Sequence, residues 1–536
     1  MKEQSTTRGF AVLSAASLIV KLVSLLFLPL LNFILPQEAI GSYNFTYTIF
    51  TFIYVLSNSG IPVAISKLVS ELIAQNNYKD AIKSFKMARF LLIVIGLVMS
   101  LIMMLIAAPI TRRAGQEDSE LAIIVLAPTV LITSVMSAYR GYFQGRGNMT
   151  PTGVSQIVEQ IVHTIFSLVC AALLIKISIK VGVAGATVGT TVGALVACIY
   201  LFIKYEKTKK FRIPKDVDLS RVKRLPNKTL FRKLLTYGIP ITLSVGLQQG
   251  GNFIDSLIAV NRLMDGGYTK KIAREMYGTI GQTNSLINVP IAIVSALSVA
   301  VLPAISAAMA VGDRKLAQEK INQAMKICFI IVIPSAIGLA VLSKPIYGML
   351  FPDAVHGAKL MKLACLIVIL MSIVQIQTTI LQGLGKMNIV TATMFIGIVV
   401  KIITSYSLMA IPSINQFGSV AGNIMCFTVP LVLNYYYIKN TTRFRLNVLK
   451  YSLKPFIAAV AMGILALIAY IPFDIFISQG ASRLAYVLPT IILMMVAAFV
   501  YAYAMIYLGG ITKNDLNSIS PKLVRIIPAF MKKRMR

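Results

Sequence analysis

Charged side chains are scarce in this sequence. Asp, Glu, Lys and Arg make up 13% of its 536 residues, where a soluble domain carries roughly 25%, and that shortage excludes a water-soluble globule. Histidine occurs only at His163 and His356, too seldom for a metal centre. The five cysteines, Cys170, Cys198, Cys328, Cys365 and Cys426, are scattered through apolar stretches without CxxC spacing, which leaves neither a disulfide framework nor a zinc site. There is no phosphate-cradling P-loop motif and no Ser/His/Asp constellation. Nucleotide hydrolysis within the chain is therefore excluded as a power source, and neither enzyme activity nor a cofactor is expected.

Apolar length is what the sequence has instead. Hydrophobic residues make up 57% and the mean hydropathy is +0.78. Runs of about 20 residues, each able to cross roughly 30 Å of hydrocarbon, recur fourteen times, at 9–34, 42–66, 87–111, 120–139, 153–175, 183–203, 234–261, 277–311, 323–343, 358–384, 388–410, 417–438, 451–471 and 485–508. The expected fold is an all-α polytopic membrane protein of about fourteen transmembrane helices. The first run is too long for a signal peptide and lacks a small-residue cleavage site, so no cleavable leader is expected.

The formal net charge is +33, and its placement decides what it means. With the N-terminus inside, 38 of the 52 Lys and Arg fall on the inner side and 12 outside, leaving Lys21 and Lys401 within spans. That is the positive-inside pattern, and it puts both termini in the cytoplasm. The densest block, Lys204 to Lys233, is expected to lie against anionic headgroups. Basic residues that flank spans and form no aromatic-interleaved surface exclude nucleic acid as a partner.

The chain also repeats itself. "QGRGNM" at Gln144 returns as "QGLGKM" at Gln382, "VAGA" at Val183 as "VAGN" at Val420, and "AIS" at Ala64 as "AIS" at Ala304, with offsets of 238, 237 and 240. Spans one to six thus recur as spans seven to twelve. An even number of spans in each half gives both the same orientation, so the halves are expected to be related by a pseudo-two-fold axis along the membrane normal. The expected division is a six-helix bundle at 1–205, a basic cytoplasmic linker at 206–233, a second six-helix bundle at 234–438, two additional transmembrane helices at 439–510 and a basic cytoplasmic tail at 511–536.

Polar residues inside the spans are placed with helical spacing. In "RGYFQGRGNMTPTGVSQIVEQIVHTIFSLV", from Arg140, residues Gln156, Glu159, Gln160 and His163 follow i, i+3, i+4, i+7 and share one face. Gln248, Asn252 and Asp255 repeat the device at i, i+4, i+7, beside a Gly250-Gly251 pair that invites an unwound or bent segment, and Asn284 and Asn288 follow i, i+4. Ser14, Ser17, Lys21 and Ser24 share a face of the first span. Ionisable groups within spans are costly and usually face a hydrated cavity, so Lys21, Glu159, Gln160, His163, Gln248, Asn252 and Asp255 are expected to face a space between the bundles.

The stretches "RGYFQGRGNMTPTGVSQIVEQIV" from Arg140, "GIPVAISKLVSE" from Gly60 and "LPAISAAMAVGDRKLAQEKINQAMKICFIIVIPSAIGLAVLSKPIYGMLF" from Leu302 resemble the MOP (multidrug, oligosaccharidyl-lipid, polysaccharide) exporter superfamily. Within it the chain is similar to the MurJ-type lipid II flippases and their Gram-positive relatives, including the stage V sporulation protein B group. The resemblance implies a flippase that carries an undecaprenyl-pyrophosphate-linked saccharide, lipid II above all, across the bacterial cytoplasmic membrane by alternating access. It also implies coupling to a cation gradient or the membrane potential, and a role beside cell-wall synthesis proteins in growth, cell shape or sporulation.

Such a substrate has an anionic pyrophosphate, polar sugars and a tail that stays in lipid. Lys21 is the best anion-binding candidate; the resemblance implies an Arg there, and Lys keeps the charge but loses the bidentate fork. The alternative is a Lys that snorkels to the nearer interface. Glu159 would hold a neighbouring cation, or take up a proton or Na⁺. His163 stands where relatives show Arg, which makes that charge pH-dependent. The alternative for the whole face is hydrogen bonding across the bundle. Arg140 and Arg146 either touch headgroups at the cytoplasmic end of span four or admit the pyrophosphate. Lys401 snorkels, forms a structural pair or meets the ligand. A cation-coupled multidrug antiporter of the same superfamily and a non-transporting scaffold for envelope or spore assembly are the competing functions.

Overall fold

The computed structural model describes residues 6–208, 224–310, 312–442, 444, 446–478 and 484–510. The expected tail at 511–536 and most of the basic linker at 206–233 lie outside the described residues, as do some side chains within helices, those of Ser14 and Gln248 among them. Among the described residues the regular structure is helical: α1 Thr6–Ile34, α2 Gln37–Asn58, α3 Gly60–Ala74, α4 Tyr78–Arg113, α5 Glu120–Gly145, α6 Thr150–Leu174, α7 Ile179–Thr208, α8 Asn227–Asp265, α9 Lys270–Ala310, α10 Arg314–Val341, α11 Ser343–Leu350, α12 Gly357–Gly383, α13 Met387–Met409, α14 Phe417–Tyr437, α15 Val448–Ser478 and α16 Leu484–Tyr507. Among the described residues, twelve segments are long and apolar enough to cross a membrane. The expected runs 9–34 and 234–261 correspond to α1 and α8, which fall short of that measure. The described apolar part of α1 is confined to Ile19–Ile34, and α8 carries Gln249, Asn252 and Asp255 along its length. The chain groups into two compact units, Met1–Gly278 with Ala410–Pro412, and Thr279–Met409 with Ser413–Arg536.

In the first unit, local chemistry sets the helix ends. The run expected as one span at 42–66 is two helices, parted at Ser59. Pro62 has no N–H to return to the Asn58 carbonyl, so the α2 ladder cannot continue through it. Asn77 caps α4 by accepting from the Asp80 N–H at 3.3 Å, and Arg112 and Arg113 close its C-terminal turn, where cations oppose the helix dipole. The expected unwinding at Gly250-Gly251 does not occur: α8 runs unbroken from Asn227 to Asp265. Two glycines cost only about 2 kcal/mol of helix propensity, less than breaking the ladder in an apolar setting.

Small residues bring α6 and α7 together. Gly185, Gly189 and Gly193 recur every four residues on α7, and a Cβ added at each would strike the α6 backbone at Cys170, His163 and Glu159 respectively. This is the small-xxx-small stripe by which membrane helices gain backbone contact without a hydrophobic driving force. It also fixes the rotation of α6, and hence where Glu159 and His163 point. Gly189→Ala is expected to lower the melting temperature of the detergent-purified protein by several degrees. Gly250→Ala, where an added Cβ meets nothing within 4 Å, is expected to leave it unchanged or raised. Equal melting temperatures for Gly189→Ala and the parent protein would refute the packing argument.

The second unit uses the same contact at the repeated position. A Cβ on Gly422, the residue 237 positions after Gly185, would meet Ser405 on α13 and stand 3.2 Å from the Lys401 carbonyl oxygen. Lys401 itself is 2% exposed, so it does not snorkel to an interface. Lys401→Ala is accordingly expected to reduce the amount of folded protein in the membrane, with activity per folded molecule largely kept; a normal amount with lost activity would contradict this. Tyr501 donates to the Ile330 carbonyl at 2.8 Å, fastening α16 to α10.

Candidate functional site

A cavity of about 400 Å³ opens within the first unit. Its wall consists of Ser17, Val20 and Lys21 from α1, Tyr47 and Tyr54 from α2, Arg140 from α5, Gln156, Glu159, Gln160 and His163 from α6, and Thr190 from α7. The glycine stripe of α7 turns the apolar face of α6 away and presents its four polar residues to this space. Lys21 is exposed at the cavity, beside the likewise exposed Ser17.

Two polar systems occupy the wall. Arg140 reaches across from α5 and donates from Nη2 to Glu159 Oε2 at 2.7 Å and from Nε to Ser155 Oγ at 3.0 Å. The two side chains are 13% and 26% exposed, so this charged hydrogen bond is only partly solvated and correspondingly strong. The second system centres on His163. Its Nε2 lies 3.1 Å from the Tyr47 hydroxyl, which also bonds Thr190 Oγ1, while Gln160 Nε2 stands 3.4 Å from Nδ1. Both ring nitrogens of His163 therefore have a polar neighbour, a hydroxyl at one and an amide at the other. Phe27 stacks obliquely on the imidazole at 4.7 Å between ring centroids. The cavity thus offers one ammonium, one guanidinium held by a carboxylate, two amides, an imidazole and four hydroxyls, a surface suited to an anion carrying polar groups.

The structure brings Lys21, Glu159, Gln160, His163 and Arg140 together and leaves other candidates elsewhere. Arg146 donates to the Thr208 carbonyl at 2.6 Å and to the Tyr142 hydroxyl at 3.1 Å, tying the end of α5 to the end of α7. Asn252 is exposed on α8, and Asp255 is 8% exposed near Tyr277, whose hydroxyl bonds Thr48 and Ser256. Neither Asn252 nor Asp255 lines the cavity, and the Gln248 side chain lies outside the described residues. In the second unit Asn284 is half-buried and Asn288 exposed. Sequence reasoning missed Tyr47, Tyr54 and Thr190. The first two fall i, i+7 on α2, a spacing that marks one helical face, but aromatic residues at that spacing are ordinarily core.

Residues 6–309 match the family model described as polysaccharide biosynthesis protein, and residues 240–407 match the MatE family. The lipid II flippase MurJ of Bacillus subtilis (strain 168) is 24% identical over 98% of both chains. Stage V sporulation protein B of the same organism is 24% identical over 98% of this chain and all of that one, and its uncharacterized membrane protein YabM is 27% identical over 96% and 94%. Among solved structures, the inward closed conformation of lipid II flippase MurJ aligns with a TM-score of 0.67 at 14% identity, covering 92% of this chain and 98% of that one. An inward-facing multidrug resistance MATE family transporter of the MOP superfamily aligns with a TM-score of 0.65 at 15% identity, covering 80% and 96%. With more than half of its length matched by the one family model and its helices laid out as in MOP-superfamily transporters, this chain belongs to the polysaccharide biosynthesis protein family and is a multi-pass membrane protein.

Proposed function

We propose that this protein is a flippase for an undecaprenyl-pyrophosphate-linked saccharide, with lipid II as the first candidate. It would work by alternating access in a bacterial cytoplasmic membrane, with both termini inside, and draw on a cation gradient or the membrane potential. The observation that carries the reading is the cavity of the first unit, where Lys21 and Arg140 share a wall with Gln156, Gln160 and four hydroxyls. A drug cavity served by cation exchange needs carboxylates to dominate; here Glu159 is the one carboxylate in the wall among the described residues, and it is committed to Arg140. Lys21 and Arg140 would receive the pyrophosphate, the amides and hydroxyls the first sugar, and the tail would remain in lipid. The two bundles of the sequence repeat would supply the alternating halves.

Depletion of the protein in its own cells, followed by extraction of polyprenyl-linked intermediates from each membrane face, tests this directly. The expected result is accumulation of one such precursor on the cytoplasmic face, and its identity names the substrate. A multidrug antiporter would instead leave the precursors balanced and sensitise the cells to cationic compounds, as the matches to MATE transporters would then explain.

A further inference from the structure

The guanidinium of Arg274, in the second turn of α9, is almost wholly buried at 6% exposure, yet Arg274 is not among the residues that line the cavity. It is held by Glu38 at the start of α2 at 3.1 Å, by Glu117 at 2.8 Å and by Asp118, both in the turn between α4 and α5, while its Nε donates to the Gly115 carbonyl at 3.0 Å. Lys270, one turn earlier on α9, also pairs with Glu117. One buried cation therefore gathers three segments, 35–41, 112–119 and 262–276, all of which the charge pattern places on the outer side.

We infer that Arg274 is a releasable clasp that holds the outer ends of α2, the α4–α5 turn and α9 together, and that it opens during the transport cycle. The inference rests on the transport reading. Two features separate a clasp from a static core contact. The carboxylates are partly wet, with Glu117 42%, Asp118 31% and Glu38 16% exposed, so each can rehydrate when the guanidinium leaves, which a buried ion pair in a dry core cannot do. The backbones of α2 and α9 meet across glycine rather than through interlocked side chains: a Cβ on Gly41 would collide with the Arg274 carbonyl, and one on Gly278 would stand 3.1 Å from the Gln37 carbonyl oxygen.

Hydrogen exchange on the full-length chain in lipid nanodiscs tests the clasp without any substrate. Arg274→Ala is expected to speed exchange of residues 115–119 and 270–278 at least tenfold, with Arg274→Lys in between, because an ammonium supplies charge without the fork that reaches several carboxylates at once. As a second arm, Glu38→Cys/Arg274→Cys joined by a short reducible bis-thiol linker is expected to lose support of growth in flippase-depleted cells and to regain it on reduction. Unchanged exchange in Arg274→Ala, or full activity of the linked protein, overturns the proposal. Failure of the unlinked parent chain to support growth would strike the transport reading alone, since the exchange arm still decides the clasp.

Discussion

Replacing Arg140 with alanine is expected to abolish growth support in a flippase-depleted strain and to destabilise the protein, and the two losses separate on removal of its partner. Arg140→Ala leaves Glu159 in a wall where it is 26% exposed, with its charged donor gone. Breaking a buried pair costs about 3–5 kcal/mol; discounted for partial solvation this becomes roughly 2–3 kcal/mol. The double variant Arg140→Ala/Glu159→Ala removes the orphaned charge and is expected to recover most of the thermal stability, the non-additivity that marks a direct pair. Growth support is not expected to return with it, because the guanidinium that would meet the pyrophosphate is still missing. Melting temperature in detergent and growth at matched membrane abundance are the two readouts. If the double variant restores both, the pair is a structural strut and the anion site lies elsewhere.

The parts of this molecule that were legible in the sequence are those governed by period and transfer energy. A bilayer demands about 20 apolar residues per helix, so the helices follow from composition, and the i, i+3, i+4, i+7 spacing puts Gln156, Glu159, Gln160 and His163 on one helical face, where the structure has them lining a cavity within the first unit. Spacing along one helix cannot say which neighbouring helix supplies the partner. The sequence puts Arg140 near the cytoplasmic end of its span, yet its long side chain reaches Ser155 and Glu159. Tyr47 and Thr190 were invisible because hydroxyls within a span cost little and raise no alarm. Asp255 shows the converse: its spacing with Asn252 resembles that of the α6 face, but it is buried near Tyr277 and does not line the cavity. Pro62 was written in the sequence, and its missing N–H predicts the α2–α3 break, which a hydropathy window averages away.

Lys21→Ala is expected to remove growth support almost completely, while Lys21→Arg keeps it. Lys21 is exposed at the cavity, and it is the cation of the wall for which no carboxylate ion pair is seen among the described residues. An ammonium in that position meets an incoming anion without first surrendering a carboxylate, whereas Arg140 has to exchange Glu159 for it. One charged hydrogen bond to phosphate contributes on the order of 1.5–3 kcal/mol, or roughly tenfold to a hundredfold in occupancy. A flippase working near its required flux does not survive that loss. Arginine preserves the charge and adds the bidentate fork, so Lys21→Arg is expected to match or exceed the parent chain, and Lys21→Glu to be the most damaging of the three because it repels the ligand outright. The comparison needs equal protein in the membrane, measured by immunoblot. Because an exposed lysine in the first helix holds no core together, abundance should stay normal in all three. Growth of Lys21→Ala cells at the parental rate would mark this side chain as a snorkelling lysine and move the anion site to Arg140 alone.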